Sequence, residues 1–533
     1  MIYHSLILFS NKLNLYNMLI QKIYKYQSIW KAIFIYYVLI IFIFSTFSCQ
    51  NNNGIIFDKN DIWIKNGLII DGTGSKAFQA DIIINGDSIS YIGNVPKETQ
   101  AIKIIEASNK IVTPGFIDPH SHGDPMKNPL YNNFLSMGVT TITLGQDGTS
   151  PSNKPISKWF EDIEELRLGP NIIPFVGHGT LRMRSGIGYK KSPSNIEINK
   201  LVSILYNELD AGAFGMSTGL EYVPGRYADQ YELNELAKVV GQFDGLIMSH
   251  MRTENDATMQ DDLHELFEQG NFSNIHISHL KVVHGQGSDR AQEILDMMSN
   301  KRKSSSFSVT ADIYPYLASY TTVGILFPEF SLPPNNYNLT LSKRRGDLLQ
   351  YVRSKVERRN GPSAILFGTD PYKGFTLKQL SDKQKIPYEE ILVDKIGPSG
   401  ASAAYFTMDK DLQYHFIKDK NIVISSDGSP TMHHPRGYGS FSKVIQTFVL
   451  EEKFFSIQES IRKMTSLPAK IIGLKNRGKI STGFKADILI FNPDSIRSNA
   501  TFTSPHQIST GIDHIIINGK IERGYGRLLK KNH

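Results

Sequence analysis

Between residues 61 and 112 the chain runs in short apolar stretches broken by turn residues: IWIKNGLIIDGTG, ADIIINGDSISYIGNV and AIKIIEASNKIV. Asn-Gly and Asp-Gly between alternating segments are hairpin signals, so this region is predicted to be an all-β unit. The same texture returns over 476–523, in GKISTGFKADILIFNP and IDHIIINGKIERG. Half of a sandwich exposes an apolar face unless something covers it, so the two ends are expected to pair into one composite β-sandwich.

The middle, 113–475, alternates apolar strands with amphipathic stretches of helical length. Eight strands are expected at 116–120, 139–145, 171–177, 211–217, 244–250, 274–279, 307–314 and 421–427. Patterns such as EDIEELRLG, NKLVSILYNELDAG and DRAQEILDMMSNK lie between them, with acids early in the first and the last. Eight strand-helix alternations predict an α/β fold, a TIM-like (β/α)8 barrel whose catalytic groups sit at the carboxyl ends of the strands. The gap before the eighth strand is too long for a bare loop, so an insertion at about 320–420 is expected to carry its own helices and a strand at ILFGTD.

The strand ends are polar in a particular way. His120 and His122 are two residues apart and leave the same face of an extended chain. The second strand ends near Asp147, the fifth at His250, the sixth at His279 and the eighth at Asp427. Singly, each histidine reads equally well as a satisfied core or loop residue. Together, histidines and carboxylates around an open position describe a hydrolytic zinc site.

Composition narrows the class. The 533 residues are 40% hydrophobic and 20% charged with one cysteine, which excludes disorder and a disulfide scaffold. The net charge of +7 includes Lys12, Lys22, Lys25 and Lys31 in an acid-free N-terminal stretch. The rest is near balance, so nucleic acid is not an expected partner. Residues 32–44, AIFIYYVLIIFIF, follow these lysines and precede small polar residues, the order of an export signal. STFSC resembles a bacterial lipoprotein signal box with Cys49 as the lipidated residue. Residues 1–49 are therefore expected to be a lipoprotein-type signal peptide, or else a signal anchor, with 50–60 as a linker and a start at either Met1 or Met18. The protein is expected to be exported to the bacterial cell envelope and held to the membrane on its periplasmic side. The basic tail, 524–533, reads as solvated.

TPGFIDPHSH with its flanking β segments resembles the amidohydrolase superfamily. GAFGMSTGLEYVPGRYA, SHMRTEND, ISHLK, VTADIYPY, SSDGSP and HPRGYGSF resemble its N-acyl-D-amino-acid deacylase branch, over about 61–523. The resemblance implies one or two zinc ions, or other divalent metals. His250 and His279 match the principal metal ligands, while His120, His122 and Asp427 match the second-site and catalytic positions. Lys281, Tyr314 and Arg436 match positions facing the substrate's α-carboxylate, which suits their chemistry. Well-known members have Asn-Cys-Gly after the second strand, where this chain has Gln146-Asp147-Gly148. Asp147 is the natural substitute, an oxygen ligand harder than sulfur and able to bridge two metals; the competing reading is a loop cap. Arg252 and Glu254 are candidates to pair with each other, and His178 has no assigned role.

The implied reaction is hydrolysis of a small-molecule N-acyl-D-amino acid, with Asp427 moving the proton from water to the leaving amine. A dihydroorotase-like cyclic amidase or dipeptidase is the alternative; such relatives commonly carry a lysine after the fourth strand, where Ser217–Glu221 offers none. A catalytically dead envelope scaffold is the third reading.

Overall fold

The computed structural model describes Met18 and residues 60–531, so the expectations for the signal segment and Cys49 lie outside the described residues. Val95–Gln100 group with Met1–Lys59 as a separate unit, within which Thr99 N–H donates to the Pro96 carbonyl. The other unit, Asn60–Asn94 with Ala101–His533, carries the fold. Among the described residues no helix is long and apolar enough to cross a membrane.

The β unit begins with β1 (Asn60–Ile69), β2 (Phe78–Asn85), β3 (Ser88–Gly93), β4 (Ala101–Glu106) and β5 (Ile111–Pro114). The barrel follows with β6 (Phe116–Asp118), β7 (Val139–Leu144), β8 (Asn171–Pro174), β9 (Val176–Gly177), β10 (Gly215–Gly219), β11 (Leu246–His250), β12 (Asn274–Ile277) and β13 (Val309–Ile313). An insertion holds β14 (Ser319–Thr322), β15 (Ile365–Phe367) and β16 (Ser402–Tyr405); β17 (Ile422–Ile424) completes the barrel, and β18 (Ile488–Phe491) and β19 (Ile512–Ile516) return to the β unit.

The two chain ends do pair. β18 lies antiparallel to β5, with Ile490 opposite Val112, so both ends enter one seven-stranded sheet. Alternation divides its two faces: Val112, Ile488 and Ile490 join a core within the β unit, whereas Ile111, Leu489 and Phe491 pack into the core around the barrel.

The barrel strands are parallel, in the runs β6-β7-β8 and β9-β10-β11-β12-β13-β17. The expected third strand is both β8 and β9, which join the runs, and a parallel bridge between Ser121 and Gly428 ties the eighth strand to the first. Outward residues such as Ile172, Ile247 and Ile275 pack with Leu201, Leu205 and Leu209 of α1 (Asn195–Asp210) and Leu236 and Val240 of α2 (Gln230–Gln242). Ser194 and Glu197 cap α1 reciprocally. Inward residues Ile117, Ile173, Phe175, Leu246 and Met248 fill the barrel floor against Ala469 and Ile472.

The insertion has a core of its own. α3 (Tyr337–Glu357), capped by Asn336, lays Leu348, Val352 and Val356 on the antiparallel sheet β14-β16-β15 beside Phe367 and Tyr405. Its four-residue spacing is one helical stripe.

Two expectations change. The fourth strand begins at Gly215 rather than Ala211, so it meets β9 and leaves the edge of β8 open. The C-terminal tail takes that edge with its backbone, while the side chains of Arg527 and Lys530 stay exposed to solvent. Ile172 N–H donates to Arg527 O at 2.9 Å, Leu529 N–H to Ile172 O at 2.8 Å, and Lys531 N–H to Gly212 O at 2.9 Å. Lys530 pairs with Glu164 and Arg527 with Asp87. An open strand edge needs such partners, which short-range sequence patterning does not reveal. Deleting 524–533 is expected to cost roughly 2 kcal/mol or more by removing these bonds and the packing of Leu528 and Leu529; thermal denaturation checks it, and an unchanged Tm would mean the strap adds nothing.

Candidate metal centre and substrate cavity

Asp147, His279 and Asp427 each lie two or three residues beyond the last residue of β7, β12 and β17. All three have left-handed backbones, with φ of 51°, 38° and 46°, as does Glu254 at 56°. Residues with side chains rarely adopt this region, and its recurrence here marks a site held by its surroundings. Gly148, φ 77°, closes the Asp147 turn: a Cβ there would stand 2.8 Å from Gly219 N, and its own N–H donates to Ser217 Oγ at 3.0 Å. This junction pins the second strand's loop to the fourth strand.

Two ligand groups share Asp147. His250 Nδ1 and His279 Nε2 face each other at 2.9 Å, and lie 3.9 and 3.5 Å from Asp147 Oδ1. On the other side His120 Nε2 is 3.4 Å from Asp147 Oδ1 and 3.6 Å from Asp427 Oδ1. His122 Nε2 is 3.5 Å from Asp147 Oδ2 and 3.1 Å from Asp427 Oδ1. Within each group the potential ligand atoms lie within 4.8 Å of one another. The structure thus brings together all six expected ligands.

The outer ring nitrogens have carboxylate neighbours. Glu221 Oε2 is 3.3 Å from His250 Nε2, Glu254 Oε1 is 3.1 Å from His279 Nδ1, and Asp312 Oδ2 is 3.7 Å from His120 Nδ1. Such partners orient metal-ligating imidazoles and raise their basicity. Asp312 is itself fixed by His276 at 2.8 Å and by Ser425 Oγ. Behind them Asp118 accepts the backbone N–H groups of His120 and Ser426, and burial pushes its carboxyl up to about 7.

The electrostatics ask for a cation. Burial and Lys281 both oppose protonation of His279, yet Glu254, Asp427 and Asp147 outweigh them and push it up to about 9. Burial favours the neutral form of Asp147, but His120 and His279 hold it well below the ordinary carboxylate range. Both ring nitrogens of His120 and Asp147 Oδ1 are buried without a hydrogen-bond partner. A divalent ion would take up the unused lone pairs of His120 Nε2 and Asp147 Oδ1 and balance the excess carboxylate charge, so the residues fit a metal.

The amidohydrolase family model matches residues 410–522. N-acyl-D-glutamate deacylase of Alcaligenes xylosoxydans xylosoxydans is 30% identical over 488 residues, covering 87% of this chain and 93% of its own. The D-aminoacylase of the same organism is 27% identical, over 86% of this chain and 93% of its own. The crystal structure of N-acyl-D-glutamate deacylase from Bordetella bronchiseptica, complexed with zinc and a phosphonate mimic of the tetrahedral intermediate, superposes with a TM-score of 0.78 at 27% identity, over 89% of this chain and all of that one. This chain is an amidohydrolase of the N-acyl-D-amino-acid deacylase branch.

In this amidohydrolase the ligand groups open into a cavity of about 510 Å3, walled also by Tyr222, Lys281, Tyr320, Arg359 and Arg436. Lys281 Nζ lies 2.7 Å from both Glu254 Oε1 and His279 Nδ1, so it steadies the ligand shell as well as facing the cavity. Arg436 Nη1 pairs with Asp427 Oδ2 at 2.8 Å, and its guanidinium lies 4.7 Å from the Tyr314 ring centroid. The Tyr314 hydroxyl is buried without a hydrogen-bond partner, and Tyr314 is not among the residues walling the cavity.

Arg252 and Glu254 do not pair. Arg252 binds Glu265 and the carbonyls of Arg226 and Ala228, leaving Glu254 for Lys281 and His279. His178 is buried, and bonds Glu232, which Arg182 also holds, so it braces the barrel wall. Sequence reasoning missed Glu221, Asp312 and Arg359. Glu221 was visible in the segment after the fourth strand, where only a lysine was sought; Arg359 had no local signal because the insertion delivers it.

Metal-stripped protein titrated with zinc is expected to gain about 2.7 kcal/mol at a free concentration a hundredfold above Kd. The gain in Tm should fall sharply in Asp147→Asn, because both ligand groups lose their shared anion. Equal gains in both proteins would remove Asp147 from the metal shell.

Proposed function

We propose that this chain hydrolyses the amide bond of N-acyl-D-amino acids, releasing a carboxylic acid and a free D-amino acid, with zinc as its metal. The observation that carries the reading is the pairing of Asp427 with Arg436 at the mouth of the two histidine pairs: a proton acceptor kept charged beside the ligand groups. The D-series substrate is supported by the relatives, which are N-acyl-D-glutamate deacylase and D-aminoacylase.

His120, His122, Asp147, His250 and His279 would hold the metal, with Asp427 beside them. When bound it supplies Lewis acidity, polarising a carbonyl and acidifying water. The chain's own residues do the rest. Burial alone would raise the Asp427 carboxyl, but Arg436 and His279 hold it low, so it is ionised at neutral pH. Its Oδ1, which faces His122 and His120, is placed to take a proton from attacking water and pass it to the departing amine. Arg436 and Lys281 are the cations that would orient the α-carboxylate, Arg436 through a planar fork.

The test is amine release from matched N-acetyl-D- and N-acetyl-L-amino acids by the zinc-loaded chain. Turnover confined to the D series is expected. Asp427→Asn should keep its metal and lose roughly a hundredfold or more in kcat. Turnover of cyclic amides alone would favour a dihydroorotase-like enzyme, and absence of both metal and turnover a dead scaffold.

We also propose export and membrane attachment through Cys49, supported by the apolar run 32–44 after its lysines and by STFSC. Palmitate labelling of expressing cells should mark the wild type and not Cys49→Ala; labelling of neither leaves the uncleaved anchor as the better reading.

A further inference from the structure

Arg359 follows α3 in the insertion and reaches the wall of the active-site cavity, where it is 3% exposed. Among the described residues its side chain makes no hydrogen bond, and Nε is a buried orphan. Its nearest carboxylate, Glu221 Oε1, stands 3.8 Å from Nη2, outside hydrogen-bond reach, while the other oxygen of Glu221 faces His250. A buried guanidinium with its donors unused is costly unless an anion completes it.

The surroundings deepen that deficit. Arg359 and Val283 also wall a second cavity of about 420 Å3, together with His284, Lys355 and Arg358. Lys355 and Arg358 make no ion pair among the described residues, and the one acid of that cavity, Asp256, is held by Arg290 at 2.6 Å. Positive charge therefore accumulates in that second cavity, on the side of Arg359 away from Glu221, whereas Arg436 is already paired with Asp427 through Nη1.

We propose that Arg359 receives a second carboxylate of the substrate, in addition to the α-carboxylate, and so selects for a dianionic N-acyl-amino acid. The inference rests on the deacylase reading above. The planar fork suits a bidentate carboxylate, and replacing Glu221 at 3.8 Å by a closer anion supplies the missing bonds. The second carboxylate belongs either to an acidic side chain or to a dicarboxylic acyl group, two sources that share one chemistry.

The test measures kcat/KM for two matched pairs on the zinc-loaded full chain: N-acetyl-D-glutamate against N-acetyl-D-norvaline, and N-succinyl-D-alanine against N-butyryl-D-alanine. The wild type should favour the dianion by about tenfold or more in one pair, which identifies the source. Arg359→Met should bring that ratio close to one, mainly through KM, with Arg359→Lys in between because it keeps the charge without the fork. A wild-type ratio near one in both pairs, or a ratio unchanged in Arg359→Met, overturns the proposal. If no amide turns over, the deacylase reading has failed separately. Calorimetric titration with D-glutamate, D-norvaline, succinate and butyrate then decides: a dicarboxylate preference lost in Arg359→Met supports the proposal, and equal binding or none overturns it.

Discussion

The centre depends on one half-buried anion, whose Oδ1 is shielded from water. Asp147 stands between two histidine pairs, and both are arranged around its carboxylate oxygens. A lone carboxylate shielded from water would take up a proton; here His120 and His279 keep it charged, and it in turn favours their cationic forms. The mutual dependence extends outward through Glu221, Glu254 and Asp312, each set against the far side of a histidine. An oxygen ligand at this position is harder than the sulfur found there in well-known members of the family it resembles.

Much of this was legible along the chain because barrel strands announce themselves. An apolar run ending in a histidine or aspartate is short, local and repeated, and the barrel puts all such ends on one rim. His120, His122, His250, His279 and Asp427 could therefore be read from position alone. The pairing of the β segments at the two chain ends was legible for a similar reason, since each half leaves an apolar face to cover.

What stayed hidden is long-range. The tail's basic side chains are solvated as their charge suggests, but the docking of its backbone was not legible, because the open edge of β8 that it fills arises from where β10 happens to start. Arg359 sits in a helical insertion with ordinary surface-like sequence around it, and only the packing of Leu348, Val352 and Val356 on the insertion's sheet turns it inward. Arg252 and Glu254, two residues apart, looked like partners, yet the left-handed turn at Glu254 sends them to different neighbours.

The closure of the barrel by its own ends bears on how the protein comes to exist. His122 and Asp427, in contact at the centre, are 305 positions apart, and the strand edge behind them is finished only by residues near 528. Contacts this distant form late, after the long loops between them have been ordered. A growing chain thus possesses both histidine pairs well before it possesses a centre, which waits for Asp427 and for the residues near 528 that finish the strand edge.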